Sequence, residues 1–270
     1  MALGFKLSQS TPLHTLELPS IDICLVACRR PQLLKETLQS FSENLLHQMN
    51  IGKVYVNLDP FMGNQADEEE AIRVIKRFFP SAIIFTPEQP DFCAAVKRVW
   101  GSSSASIVLH LEDDWRLEQR VNPNALLSKL QGRTKAVSFL AELHGARGSA
   151  KFSEARARKK IFGITYRRYT EARFNTSPTL FDGKFLRKIA MSLDILRDPE
   201  KQLRQDGGNP CLHDFCQLYK CVFFKTDAGG PIITDIGREW RDLRGIEKIL
   251  EDGQSYWTLK GRIDEQNERS

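Results

Sequence analysis

No apolar run in the 270 residues approaches the roughly 20 that a membrane-spanning helix needs, so no span is expected. Met1 to Ser20 lacks a basic start followed by an apolar stretch, the pattern of a secretory signal, and a cytoplasmic location is the expectation. CxxC pairs are also missing. Cys24, Cys28, Cys93, Cys211, Cys216 and Cys221 stand apart from one another, and none has a histidine at zinc-finger spacing. Reduced, mostly buried thiols are expected, since a free cysteine packs as a small hydrophobe. No GxGxxG follows the first apolar strand, which argues against a dinucleotide-binding oxidoreductase. The turn Cys28-Arg29-Arg30-Pro31 has no glycine, which weighs against the phosphate loop of a nucleotidyltransferase. Internal repeats and long low-complexity tracts are absent.

A general excess of one charge sign is missing as well. The net charge is +5, but residues 145–173 alone hold nine Lys/Arg against Glu154 and Glu171, a local balance of +7. The remainder is therefore mildly acidic, and nucleic acid is not the expected partner. At 41% hydrophobic and 27% charged residues, the chain has the composition of a globular domain with a sizeable core.

What is present alternates. Ile21 to Ala27 is short, β-branched and nearly all apolar, as in a strand covered on both faces. Pro31 then opens a helix to about Asn44, with Leu33, Leu34, Leu38, Phe41 and Leu45 on one face. Val54 to Leu58 reads as a second strand, Asp67 to Phe79 as a helix, and Ala82 to Phe85 as a third strand. Phe92 to Trp100 follows as a helix, and Ser106 to Leu111 as a fourth strand. This alternation implies an α/β fold with a mostly parallel sheet and right-handed crossovers. Beyond it, Asn122 to Leu130 reads as a helix, Ala136 to Leu140 as a strand, and 145–173 largely as loop. Thr176 to Phe181 reads as a strand, with helices over Gly183 to Ser192 and Cys211 to Tyr219. Val222 to Phe224 and Ile232-Ile233 are short apolar pieces, and the end is polar.

Open parallel sheets bind ligands outside the carboxyl ends of their strands. Arg29 and Arg30 fall after the first strand, Asp59 after the second, and Glu112-Asp113-Asp114 after the fourth. Three adjacent carboxylates at a strand exit are costly unless solvated or paired with a cation. Hard oxygen ligands of this kind suit Mg2+ or Mn2+ shared with substrate phosphates. A solvated acidic turn is the plainer alternative.

On these residues the chain resembles a GT-A fold glycosyltransferase of the family 2 group. The resemblance covers residues 21–115 well and the remainder in patches. IDICLVACRRPQLLKETLQS, Ile21 to Ser40, is similar to the family's opening strand, small-polar-Arg-Pro turn and Leu-rich helix. LHLEDDW, Leu109 to Trp115, is similar to its acidic DxD signature, with Glu in the first place. The resemblance implies a GT-A, Rossmann-like sheet with a less regular acceptor half. It divides the chain into an arm (1–20), a nucleotide-sugar half (21–120) and an acceptor half (121–270). It implies that Asp59 recognises the nucleotide base and that Asp114 binds Mn2+ or Mg2+ directly. Glu112 and Asp113 would hold ribose or metal-bound water, with Ala27, Arg29 and Arg30 at the donor.

Further roles follow from the same resemblance. Asp214, opening a later helix, would be the general base of an inverting transfer, with His213 the second choice; a helix cap is the plain alternative. Asp235 would add a metal contact and Arg238 a phosphate contact, although the family's usual histidine is missing there. Lys97 and Arg98 would reach the phosphates, or else form a solvated helix face. Trp115 and Trp240 suit packing better than sugar stacking. The implied partners are a UDP-, GDP- or dTDP-sugar and a glycan, lipid-linked or protein acceptor. The basic stretch 145–173 reads as a flap over the donor, or as a contact for an anionic acceptor or a membrane surface. The competing classes are a non-catalytic sugar- or nucleic-acid-binding relative and a nucleotidyltransferase.

Overall fold

A computed structural model describes residues 18–140, 152–161, 164–170, 172–203, 208–225, 232–251 and 254–259. The first part runs β1 (Ile21–Cys28), α1 (Pro31–Asn44), β2 (Ile51–Asp59), α2 (Gln65–Phe78), β3 (Ile83–Phe85), α3 (Phe92–Ser102), β4 (Ile107–Glu112) and β5 (Trp115–Leu117). Next come α4 (Pro123–Leu127), β6 (Thr134–Ser138), β7 (Phe152–Glu154), β8 (Arg156–Ile161) and β9 (Ile164–Thr170). The last part runs β10 (Thr179–Asp182), α5 (Gly183–Ser192), α6 (Pro199–Gln202), α7 (Pro210–Gln217), β11 (Lys220–Phe224), β12 (Ile233–Asp235), α8 (Ile236–Asp242), β13 (Ile246–Glu251) and β14 (Gln254–Leu259).

Eight strands form one sheet in the order β3-β2-β1-β4-β10-β6-β11-β7. β3, β2, β1 and β4 are parallel; β10 runs antiparallel between β4 and β6, and β11 is parallel to β6. The architecture is thus α/β with a mixed, mostly parallel sheet flanked by helices. Strands drawn from both sides of residue 120 share this sheet.

β1 shows why the sheet is covered on both faces. Ile21, Ile23, Leu25 and Ala27 enter one core with Leu34, Leu38 and Phe41 of α1 and Ile75 of α2. Cys24 and Val26 enter the other, with Trp100 of α3, Phe185 and Ile189 of α5, and Cys216 of α7. This is the period of two expected of a strand, with apolar residues needed at both phases. Local chemistry sets the helix starts. Pro31 takes the first position of α1, Asn64 and Asp67 form a reciprocal capping box on α2, and the Asp91 carboxylate accepts from Ala94 N–H at the start of α3.

Three expectations need correction. The basic stretch is not largely loop: β7, β8 and β9 lie within it. Ile164-Thr-Tyr-Arg-Arg-Tyr-Thr170 is rich in β-branched and aromatic residues, a strand signal that its charge obscures. The β8–β9 register sets Arg158 opposite Arg168 and Lys159 opposite Arg167. The helix expected over Asn122 to Leu130 stops at Leu127, after Asn122 caps it. The polar end contains the hairpin β13–β14. No helix among the described residues is long and apolar enough to cross a membrane.

Candidate functional site

The strand order reverses at β1: β2 and β3 lie on one side of it, β4 on the other. A crevice opens at such a switch point, outside the carboxyl ends of the two diverging strands. Here those ends carry Cys28-Arg29-Arg30 and Glu112-Asp113-Asp114.

The two ends are tied together. Asp113 Oδ2 accepts from the Cys28 backbone N–H at 3.0 Å. The Arg30 guanidinium grips Asp113 with both prongs, Nη2 to Oδ1 at 2.5 Å and Nε to Oδ2 at 3.3 Å. Both residues are buried. Arg30 Nη2 also donates to Asp114 Oδ2 at 3.3 Å. Burial opposes charge on Arg30, but Asp113, Cys28 and Asp114 together outweigh it and hold its pKa above the usual range. Burial pushes the Asp113 carboxyl up, and Arg30 restrains the rise. Glu112 accepts from the Trp115 indole N–H at 2.9 Å. Burial, with Asp114 adding to it, pushes the Glu112 carboxyl well above the carboxylate range.

A second element closes on Asp114 from far along the chain. β12 pairs with β5, setting Asp235 opposite Trp115. The Asp114 carbonyl then accepts from the N–H groups of Ile236 at 3.0 Å and Gly237 at 3.3 Å. Arg241, one turn further along α8, donates to Asp114 Oδ2 at 3.0 Å and to Asp235 at 3.4 Å. Asp235 also caps α8 through the Arg238 N–H at 2.8 Å. Trp240 lies under two cations, Arg244 at 4.0 Å and Arg30 at 5.7 Å from its ring centroid. A methyl group at Gly237 would collide with the Asp114 carboxylate and stand 2.7 Å from Arg241 Nη1. β5 itself is held by α1, whose Thr37 and Ser40 side chains accept the N–H groups of Trp115 and Leu117.

Asp59 stands at the end of β2, buried and in register with Cys28 of β1. Its Oδ1 accepts from Asn57 Nδ2 at 2.6 Å, and Arg98 donates in turn to Asn57 Oδ1. Burial pushes the Asp59 carboxyl up to about 6, against the lowering influence of Asn57.

The other residues singled out from the sequence lie elsewhere. Arg29 turns to α2 and pairs with Glu68 at 2.7 Å. Ala27 packs in the core. Lys97 donates to the Leu193 carbonyl at 2.6 Å. Arg238 is 66% exposed, 3.6 Å from Asp235. Asp214 does not open its helix: Asn209 caps α7, and Asp214 lies beyond the first turn. Its side chain is 80% exposed and touches His213 Nδ1 at 3.2 Å. Among the described residues, no hydrogen bond or ion pair joins Asp214 to the acidic cluster. Sequence reasoning missed Arg241, Thr37 and Ser40. The signal was helical spacing: Arg241 is one turn after Arg238, and Thr37 and Ser40 are three apart on the buried face of α1.

The acids that the sequence pattern offers to Mn2+ or Mg2+ are engaged by protein groups. Both oxygens of Asp113 are taken by Arg30 and Cys28, and Asp235 is engaged by Arg241. A cation is left one oxygen each of Asp114 and Glu112, and burial holds Glu112 toward its neutral form. Among the described residues, no group of three or more His, Cys, Asp or Glu side chains is placed to hold a metal.

No family model matches the chain, and no curated protein matches it in sequence. Among solved structures it is similar to the mannosyltransferase PcManGT of Pyrobaculum calidifontis, described in complex with GDP-Man and Mn2+. That match has 12% identity and a TM-score of 0.49, over 76% of this chain and 55% of that one. It is similar to S. aureus TarS 1-349 in complex with UDP at 9% identity and a TM-score of 0.48, over 76% of this chain and 57% of the other. A cytidylyltransferase from Leptospira borgpetersenii serovar Hardjo-bovis has 12% identity and a TM-score of 0.46, over 85% and 86%. The chain thus spans little more than half the length of the first two. At identities and TM-scores this low, the likenesses carry no argument about activity.

Proposed function

We propose that the chain transfers a sugar from a nucleoside-diphosphate sugar to an acceptor hydroxyl. The observation that supports it is the joining of the β1 and β4 ends by Arg30 and Asp113 at the switch point, with Asp59 at the neighbouring strand end. Asp59, when ionised, is an acceptor for an N–H of the base. Asp113 and Asp114 hold Arg30 and Arg241 at the place where a diphosphate would lie, and pre-set cations stabilise the charge that develops on a leaving diphosphate. A UDP-, GDP- or dTDP-sugar is the donor class, and a glycan, lipid-linked or protein hydroxyl the acceptor class.

Asp214, with His213 beside it, is the proposed base on the acceptor side. A carboxylate there takes the hydroxyl proton as the anomeric carbon is attacked, in one displacement with inversion. The glycine-free turn at Cys28 to Pro31 disfavours nucleotidyl transfer.

Release of nucleoside diphosphate from UDP-, GDP- and dTDP-sugars tests the reading. At least one donor should turn over, Asp114→Ala should lower the rate by about 100-fold or more, and Asp214→Asn should slow transfer while sparing donor hydrolysis. Intact turnover in Asp114→Ala would show that the site has been misplaced.

A further inference from the structure

The residues around Asp114 bear on how the donor's charge is met, given the glycosyltransferase reading on which this inference rests. We infer that Arg241 is the donor-phosphate cation of this site, standing where the acidic pattern would place a divalent metal, so that nucleoside diphosphate binds without a metal ion.

Three observations carry it. First, Asp114 Oδ2 already accepts from two guanidinium groups, Arg241 at 3.0 Å and Arg30 at 3.3 Å. A divalent cation on that carboxylate would sit beside two fixed positive charges, and like charges at such range repel strongly where water is partly excluded. Second, the placement of Arg241 is built rather than incidental. The Asp114 carbonyl takes the first N–H groups of α8, Asp235 caps the helix, and Asp235 also anchors Arg241 Nη2 at 3.4 Å. Gly237 of α8 stands where a side chain would strike both Asp114 and Arg241. Third, Arg30 is committed to buried Asp113, whereas the Arg241 side chain is 16% exposed and Arg238 lies one turn away. An arginine fork matches phosphate geometry and needs no cation between itself and the anion.

Arg241 is therefore a positioning and charge-compensating residue for the donor. Tethered to the fold, it competes for Asp114 at high effective concentration against any ion in solution.

Calorimetric titration of the full chain with UDP and GDP, in EDTA and in Mn2+, tests this. The expected result is an affinity for one of them that changes by less than about threefold between the two buffers. Arg241→Met should weaken binding in EDTA by about tenfold or more, with Arg241→Lys in between. Wild-type binding lost in EDTA and restored by Mn2+ would overturn the inference while upholding the donor reading. So would an Arg241→Met variant that binds as wild type does. Absence of nucleotide binding in both buffers would remove the donor reading and this inference with it.

Discussion

Asp59 shows how much one buried carboxylate can say. Burial holds its pKa at about 6, while Asn57, Arg98 and the Asp91 N–H pull it down and the Asp91 carboxylate pushes it up. On the proposed reading, recognition of the base by Asp59 needs its ionised form, so nucleotide affinity should rise with pH through about 6. Stability should move the other way. A carboxyl whose folded pKa lies above its unfolded value contributes stability fully present below the unfolded pKa, and that contribution is lost as pH rises through about 6. Asp59→Asn should flatten both profiles and stabilise the chain at pH 8 by about 1–3 kcal/mol, read from denaturant melts at two pH values. Arg30, Asp59, Asp113 and Asp114 were legible because apolar strands end directly before them. Arg29 and Lys97 look equally basic in sequence, but Glu68 and the Leu193 carbonyl are the partners that draw them aside. Those partners are not visible in a linear pattern.

At the scale of elements, the site is assembled by one pairing that joins β5 to β12 and docks α8 on Asp114. Gly237 leaves no room for a methyl group at that dock. Gly237→Ala should displace the start of α8 and weaken nucleotide binding by about tenfold, while melting falls by only a few degrees, since a partly exposed seven-residue helix is disturbed and the core is not. Unchanged nucleotide binding in that variant would detach α8 from the site. The alternating first half was readable because each element declares itself: Pro31 at N1 of α1, the Asn64 box on α2, Asp91 before α3. The second half was harder for a physical reason. β10 returns antiparallel between two strands it does not adjoin in sequence, and β7, β8 and β9 carry strand signals under a dense positive charge.

At the scale of the whole molecule, two cores clasp one sheet, and the candidate site stands at the carboxyl ends of β1 and β4, where the strand order reverses. On the proposed reading a nucleotide bound there would touch β1, β2, β4 and α8 together, so it should stabilise the fold as a unit. Binding to the native state alone adds about 2.7 kcal/mol at a ligand concentration of 100 times Kd. For a chain of this size that is a rise of about 5 °C or more in Tm. The direct measurement is thermal melting with UDP, GDP, dTDP and CDP at millimolar concentration, with Mn2+ present so that the outcome does not depend on the metal question. The account predicts that at least one raises Tm by about 5 °C and that Asp59→Ala abolishes the rise. Four nucleotides that all leave the melting temperature unchanged would contradict it.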